Sequence, residues 1–94
     1  MSAWFYMLRL KSGKLYPGAT RRTPNMRYKE HLDGHGCRTT QLDPPEELVY
    51  SEEHPDYTAA LKRERQIKRW SHAKKEALAD GDLERLKELA KRRI

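Results

Sequence analysis

The chain has 94 residues, enough for one small domain of ordinary stability, and carries 20 lysines and arginines against 14 aspartates and glutamates. The net charge of +6 favours a polyanionic partner, and the single cysteine, Cys37, excludes an internal disulfide and, alone, a zinc site. Because no apolar run approaches the ~20 residues of a membrane span and no signal-peptide pattern is present, we expect a cytoplasmic protein with no membrane partner.

The chain begins with a predicted β-hairpin. Residues 3 to 10 are apolar or aromatic on both alternating faces, which indicates a strand in the centre of a sheet. A second strand over residues 14 to 20 follows a short turn. Because Pro17 cannot donate a backbone hydrogen bond, this second strand is predicted to lie at the sheet edge.

The length of the turn decides how the two strands present their tyrosines. A two-residue loop, Ser12-Gly13, would put Tyr6 and Tyr16 on opposite faces of the hairpin. A three-residue loop, Lys11-Ser12-Gly13, places its glycine at a left-handed bulge and pairs Tyr6 with Gly18. We predict the three-residue loop, which puts both tyrosines on one face and leaves a hollow at the glycine opposite Tyr6.

A helix follows the hairpin. Thr23 is suited to cap its N-terminus and Pro24 to occupy its first position, and the helix is predicted to end at about Leu32. Arg27 and His31 are four residues apart, so they share one helical face.

The central segment contains a loop, a strand and a long helix. Residues 34 to 46 are rich in glycine, threonine and proline and are predicted to be irregular, whereas residues 47 to 52 form a third strand. Asp56 is predicted to cap a helix that runs to Trp70. Glu64 falls on the apolar stripe of this helix, together with positions 57, 60, 61, 67 and 68.

The position of Glu64 has two interpretations. One is an i, i+4 ion pair with Lys68, which contributes only a few tenths of a kcal/mol and forms as easily on an outer face. The other is a carboxylate at the rim of a cleft that binds a divalent cation through oxygen. Both remain open from the sequence.

The chain closes with two shorter helices, predicted at residues 71 to 78 and 82 to 93. The order of elements predicts an α+β fold, a three-stranded antiparallel sheet flanked by helices. We expect one domain over residues 1–94, with a core of about residues 4–80.

Basic residues are concentrated around the junction of these late helices. Lys68, Arg69, Lys74 and Lys75 are candidate contacts to nucleic-acid phosphates, which would give affinity without sequence specificity. Trp70, between them, is interpreted as a packing residue rather than as a platform for stacking bases.

Five residues together supply the chemistry for cutting a phosphodiester. A tyrosine near a cation loses its proton more readily, so Tyr6 or Tyr16 could accept the proton of attacking water. Arg27 can hold a phosphate by two parallel hydrogen bonds, and His31 can transfer a proton or bond to phosphate. Glu64 is the candidate metal ligand.

The order of these residues resembles the GIY-YIG nuclease family, in particular its small single-domain bacterial members. Trp4-Phe5-Tyr6 stands where the family has its first tripeptide, and Tyr16-Pro17-Gly18 where it has the second. Arg27 and His31 follow in the first helix, and Glu64 matches the family's metal-binding glutamate.

The resemblance implies Mg²⁺- or Mn²⁺-dependent hydrolysis of DNA, in which Glu64 holds the metal and Tyr6 or Tyr16 orients or deprotonates water. Arg27 and His31 would stabilise charge at the phosphate. We expect a DNA endonuclease that works in repair or recombination. Two alternatives remain: a non-catalytic nucleic-acid-binding module on the same fold, and a docking surface for an acidic protein, although the sequence names no particular protein partner.

Overall fold

The computed structural model describes residues 2–34 and 38–91, so predictions that concern Cys37 and the end of the last helix lie outside the described residues. Among the described helices, none has both the length and the apolar character needed to cross a membrane. The elements are, in chain order, β1 (Ala3–Leu10), β2 (Leu15–Thr20), α1 (Pro24–Leu32), α2 (Arg38–Leu42), β3 (Pro45–His54), α3 (Tyr57–Lys68), α4 (His72–Asp80) and α5 (Leu83–Lys91).

The sheet is antiparallel with the strand order β2-β1-β3. The prediction that β1 is central and β2 lies at the edge is therefore confirmed. Pro17 pairs with Met7 across the hairpin, and its missing N–H is tolerated because β2 has a neighbour on one side only.

The hairpin loop has three residues, as predicted. The backbone N–H of Leu10 donates to the carbonyl of Lys14 at 2.9 Å, which closes the loop. Gly13 has a φ of 93°, a conformation that residues with a side chain rarely adopt. Tyr6 pairs with Gly18, so Tyr6 and Tyr16 point to the same face of the sheet.

The two faces of the sheet carry separate apolar clusters. Phe5 and Met7 pack with Ile67 of α3 and Leu78 of α4. Tyr6 and its alternating neighbours in β1 face the opposite side, which α1 covers. Because successive side chains of β1 point to opposite faces of the sheet, they pack against α3 and α4 on one face and against α1 on the other.

The predicted helix starts are confirmed by their caps. The Thr23 hydroxyl accepts from the backbone N–H of Met26 at 3.4 Å, and the Asp56 carboxylate accepts from that of Ala59 at 2.8 Å. Ser71 caps α4 in the same way. These contacts satisfy donors that the first helical turn leaves without a backbone partner.

The prediction of an irregular loop over residues 34 to 46 is wrong. This segment contains α2, and β3 begins at Pro45 rather than at residue 47. Pro45 pairs with Leu10 at the end of the central strand. The position is compatible with proline, which is tolerated as the first residue of a strand.

The late helices also differ from the prediction. α3 ends at Lys68 instead of Trp70, and the Lys68 side chain is exposed rather than facing the core. α4 continues to Asp80, where Gly81 ends it with a φ of 71°. In α5, Leu86 and Leu89 are half-buried, while Leu83 is exposed.

Candidate active site

Tyr6 occupies the hollow that was predicted opposite it. Its side chain is only 2% exposed, and its ring lies against Gly18 of the edge strand. A Cβ atom at Gly18 would stand 2.5 Å from both Cζ and Oη of Tyr6, which is closer than van der Waals contact allows. The glycine is therefore needed to admit the phenol ring, and the hollow is filled rather than open to a ligand.

The hydroxyl of Tyr6 ends a buried hydrogen-bonded chain. Tyr6 Oη lies 3.0 Å from Nε2 of His31, and Nδ1 of His31 lies 2.8 Å from the hydroxyl of Thr40. Tyr6, His31 and Thr40 are each no more than 2% exposed. One chain of contacts thus joins β1, α1 and α2. Sequence reasoning missed Thr40, because it lies in the segment that was expected to be irregular.

Arg27 adds a cation to this cluster. Partial burial lowers the pKa of Arg27, but its interactions with Tyr6 and with the Glu30 carboxylate outweigh that effect and raise it. Nη1 of Arg27 lies 3.5 Å from the Glu30 carboxylate. Since a guanidinium only donates hydrogen bonds, Tyr6 accepts from Arg27 and can donate its own hydrogen bond to His31.

These donors determine how the imidazole is protonated. If Tyr6 donates to Nε2, His31 must carry its hydrogen on Nδ1, from which it donates to Thr40. Burial, and then the positive charge of Arg27, lower the pKa of His31 to about 4, although Glu30 opposes them. We therefore assign His31 as a neutral imidazole at pH 7, with a basic nitrogen facing Tyr6.

Tyr16 is the more accessible of the two phenols. It is half-buried, lies on the same sheet face as Tyr6, and meets the His31 ring edge-on with centroids 5.6 Å apart. Four of the five predicted residues, Tyr6, Tyr16, Arg27 and His31, are therefore brought together by β1, β2 and α1. We refer to these four with Thr40 as the tyrosine–histidine cluster.

Glu64 approaches the sheet from the other side. It shares a stripe of α3 with Ala60 and Ile67, which are both fully buried, and its own side chain is 18% exposed. Because Ile67 packs against Phe5, this stripe covers the face opposite Tyr6. The contact that the structure shows for the Glu64 carboxylate is an ion pair with Lys68, with Oε2 and Nζ 3.2 Å apart.

The donor atoms around Glu64 limit how a metal ion could be held. Within the described residues, no three His, Cys, Asp or Glu side chains converge on one point. A single carboxylate is nevertheless a suitable anchor for Mg²⁺ or Mn²⁺, since Mg²⁺ usually keeps several waters and is held by one or two carboxylates plus substrate phosphates. The residues present fit that mode and not an all-protein cage.

The four basic residues predicted to contact nucleic acid lie in different surroundings. Arg69 and Lys74 line one surface groove beside Trp70, whereas Lys68 pairs with Glu64 and Lys75 is half-buried on α4. The prediction that Trp70 is a packing residue is confirmed, because it lies against the core cluster around Phe5.

Comparison with known proteins gives consistent matches. A model of the GIY-YIG catalytic domain family matches residues 2–77. A UPF0213 protein of Staphylococcus aureus strain Mu3 is 35% identical over 74 residues, which cover 79% of this chain and 89% of that protein, and the UPF0213 protein MW0443 of strain MW2 matches equally. The solution NMR structure of the UPF0213 protein BH0048 from Bacillus halodurans is similar with a TM-score of 0.53 and 32% identity, covering 85% of this chain and 84% of that one.

Proposed function

The chain belongs to the GIY-YIG family, which implies a nuclease-type function, and on this premise we propose that it hydrolyses DNA phosphodiester bonds with the aid of a divalent metal ion. The observation that supports the proposal is the tyrosine–histidine cluster. Two phenols, a guanidinium and a neutral imidazole meet on one sheet face, where they supply a proton acceptor and a cation for phosphate.

The two tyrosines take different roles in this proposal. Tyr16, in the phenolate form that a nearby cation favours, would be the proton acceptor for the attacking water, because it is the phenol that a substrate can reach. Tyr6 is buried, and it holds Arg27 and His31 in place through its hydroxyl. Tyr6 is therefore a positioning residue in this scheme.

Arg27 and His31 act on the phosphate and on the proton, respectively. Arg27 holds the developing negative charge by charge-assisted hydrogen bonds, and its contacts with Tyr6 and Glu30 fix the guanidinium before substrate arrives. His31, neutral at pH 7, presents its unprotonated Nε2 to Tyr6 as a hydrogen-bond acceptor. It thereby fixes the direction in which the Tyr6 hydroxyl donates.

Glu64 would hold the Mg²⁺ or Mn²⁺ ion in this scheme. Its carboxylate must exchange Lys68 for the cation, and α3 packs against β2, the edge strand that carries Tyr16. The metal ion supplies Lewis-acid stabilisation of a phosphate oxygen when it is bound. We place the activity in DNA repair or recombination in the bacterial cytoplasm.

A non-catalytic nucleic-acid-binding module is the second candidate function. Two observations favour it. Tyr6 is buried, and the stripe of α3 that carries Glu64 packs on the sheet face opposite the tyrosines. This candidate predicts salt-sensitive binding that persists without metal and is not followed by cleavage.

The decisive experiment incubates the purified protein with branched, nicked and single-stranded DNA in Mg²⁺ or Mn²⁺. We expect cleavage, abolished by EDTA and by Glu64→Gln, whereas Glu53→Gln, which changes an exposed carboxylate of β3, leaves the rate unchanged. Cleavage that survives Glu64→Gln would show that the metal ligand is misassigned. Tight binding with no cleavage of any substrate would favour the binding module.

The role of Tyr16 has its own test. Tyr16→Phe keeps the ring and removes the proton acceptor, so the rate of cleavage should fall by about 10²–10⁴-fold, the usual contribution of a positioned acid or base. Tyr57→Phe, at a half-buried tyrosine of α3 that stacks with Arg21, is the matched control and should leave the rate unchanged. Equal rates for the two variants would remove Tyr16 from the mechanism.

A further inference from the structure

A groove with basic walls lies where α3, α4 and α5 meet. Its volume is about 670 Å³, and the described residues that line it include four cations and no carboxylate. The cations are Lys62, Arg65, Arg69 and Lys74. We call this surface the α3–α5 groove.

The cations of the α3–α5 groove lie together and have no acidic partner among the described residues. Within residues 2–34 and 38–91, none of the four forms an ion pair. Five basic residues elsewhere are paired with glutamates, namely Arg9, Arg22, Arg27, Arg63 and Lys68, whereas others, such as Lys11 and Lys14 of the hairpin, are exposed on the surface without such a pair in the described part of the chain. The groove therefore gathers four cations on one surface with no ion-pair partner among the described residues.

The groove presents its charge as a row. Lys62 and Arg65 of α3 and Arg69, which caps its C-terminus, are spaced by three and four residues, so they form one stripe about 10 Å long. Ala60 and Ile67 lie on the opposite stripe, towards the sheet, so the row faces away from it. A row of that length matches successive charges on a polymer better than it matches one small anion.

Trp70 and α5 give the groove its shape. The half-buried Trp70 ring lies beneath Lys74, with Nζ 4.5 Å from the ring centroid, a cation–π contact that holds the ammonium in the groove. Leu89 of α5 forms part of the wall. Since α5 begins at Leu83 and the match to the GIY-YIG catalytic domain ends at residue 77, this wall lies outside the matched domain.

We propose that the α3–α5 groove binds a second stretch of nucleic-acid backbone, independently of sequence, on the side of the molecule away from the tyrosine–histidine cluster. The choice of nucleic acid as partner rests on the proposed function. A linear row of unpaired cations neutralises phosphates and releases their counterions, which gives strongly salt-dependent affinity. The groove thus holds one segment of a substrate while another segment meets Tyr16.

The test measures binding of fluorescein-labelled duplex DNA in EDTA over a range of salt concentrations, so that no cleavage occurs. Arg65→Gln with Arg69→Gln removes two groove charges and should reduce the slope of log affinity against log salt by about 2. The control, Lys11→Gln with Lys14→Gln, removes the same charge from the exposed hairpin turn and should leave the slope unchanged. Leu89→Glu, which puts a carboxylate into the groove without removing a cation, should also weaken binding.

The outcomes separate this proposal from the nuclease proposal. Equal slopes of log affinity against log salt for the groove and hairpin variants would overturn the proposed role of the groove, even if the wild-type protein cleaves DNA. A lower slope for the groove variant together with no cleavage would support the groove and overturn the nuclease. Competition by polyglutamate that equals competition by DNA at the same charge would assign the groove to an acidic protein and overturn its assignment to nucleic acid.

Discussion

Tyr6 and His31 are both 2% exposed and hydrogen-bonded to each other. Arg65, on the outer side of α3, and Arg69, at its C-terminal cap, are instead exposed and lack an acidic partner among the described residues. The tyrosine–histidine cluster satisfies its polar atoms inside the protein. The α3–α5 groove leaves its charges to solvent.

This contrast follows from the cost of burial. A buried polar group that loses its partner costs about 1–3 kcal/mol, so the buried cluster keeps one arrangement and responds to changes of a single atom. Exposed cations keep their hydration and contribute in small, separate amounts. Substitutions in the cluster should therefore change stability and chemistry sharply, while those in the groove should change affinity by degrees.

The largest effect that we expect on stability is a loss on acidification. Unfolded His31 takes up a proton below about pH 6.5, but in the folded protein its pKa is about 4. Between these values the unfolded state binds more protons, so the free energy of unfolding falls as the pH falls, by about 3 kcal/mol in total. Denaturant unfolding at half-unit steps from pH 7 to 4 measures this loss.

Two variants identify the residue responsible. His31→Gln should flatten the pH dependence between about pH 6.5 and 5, a range above that in which carboxyl groups titrate. His72→Gln, at a histidine that is 60% exposed, should retain the dependence. If His31→Gln leaves the slope of the unfolding free energy against pH unchanged, the acid sensitivity does not arise in the cluster. The expected difference between the two regions would then be wrong.

The next effect concerns the close approach of Tyr6 to Gly18. Gly18→Ala puts a methyl group 2.5 Å from the phenol ring, so either the ring or β2 must shift. We expect a loss of about 1–3 kcal/mol in the free energy of unfolding, as for other overpacked cores. The salt dependence of DNA binding should not change, since the α3–α5 groove lies on the far side of α3.

A double-mutant cycle sharpens this prediction. Tyr6→Leu removes the ring tip that the new methyl group would meet, so Gly18→Ala should cost much less in the Tyr6→Leu background. A coupling of about 1 kcal/mol or more is expected for residues in such contact. Additive costs would mean that Gly18 matters for its backbone conformation and not for the space above it.

The sheet and most helix starts follow from local chemistry. The register of Tyr6 and Gly18 could be predicted because the loop length and Gly13 fix the pairing. Thr23 and Asp56 could be predicted as caps because an N-cap needs only its own first turn.

What could not be predicted depends on contacts between distant segments. Thr40 becomes a partner of His31 only after α2 folds against α1. Periodicity showed that Glu64 lies on a stripe facing the core, but it cannot tell which face of the sheet that stripe covers. The groove was recognised only in part, through Arg69 and Lys74, because the sequence does not show that Leu89 of α5 would form a wall beside the cations of α3.

The smallest effect concerns Lys68, which lies between the two regions, since its partner Glu64 faces the sheet while the lysine is exposed. Lys68→Gln removes an i, i+4 ion pair, so the metal-free protein should lose only about 0.3–0.5 kcal/mol in the free energy of unfolding. The freed carboxylate no longer has to exchange an ammonium for a metal ion, so cleavage should reach half its maximal rate at a lower Mg²⁺ concentration. Lys62→Gln, one cation of the groove, is the matched control: it should lower affinity for DNA but leave the Mg²⁺ requirement unchanged. An identical Mg²⁺ requirement in Lys68→Gln and wild type would show that Glu64 does not exchange Lys68 for the metal.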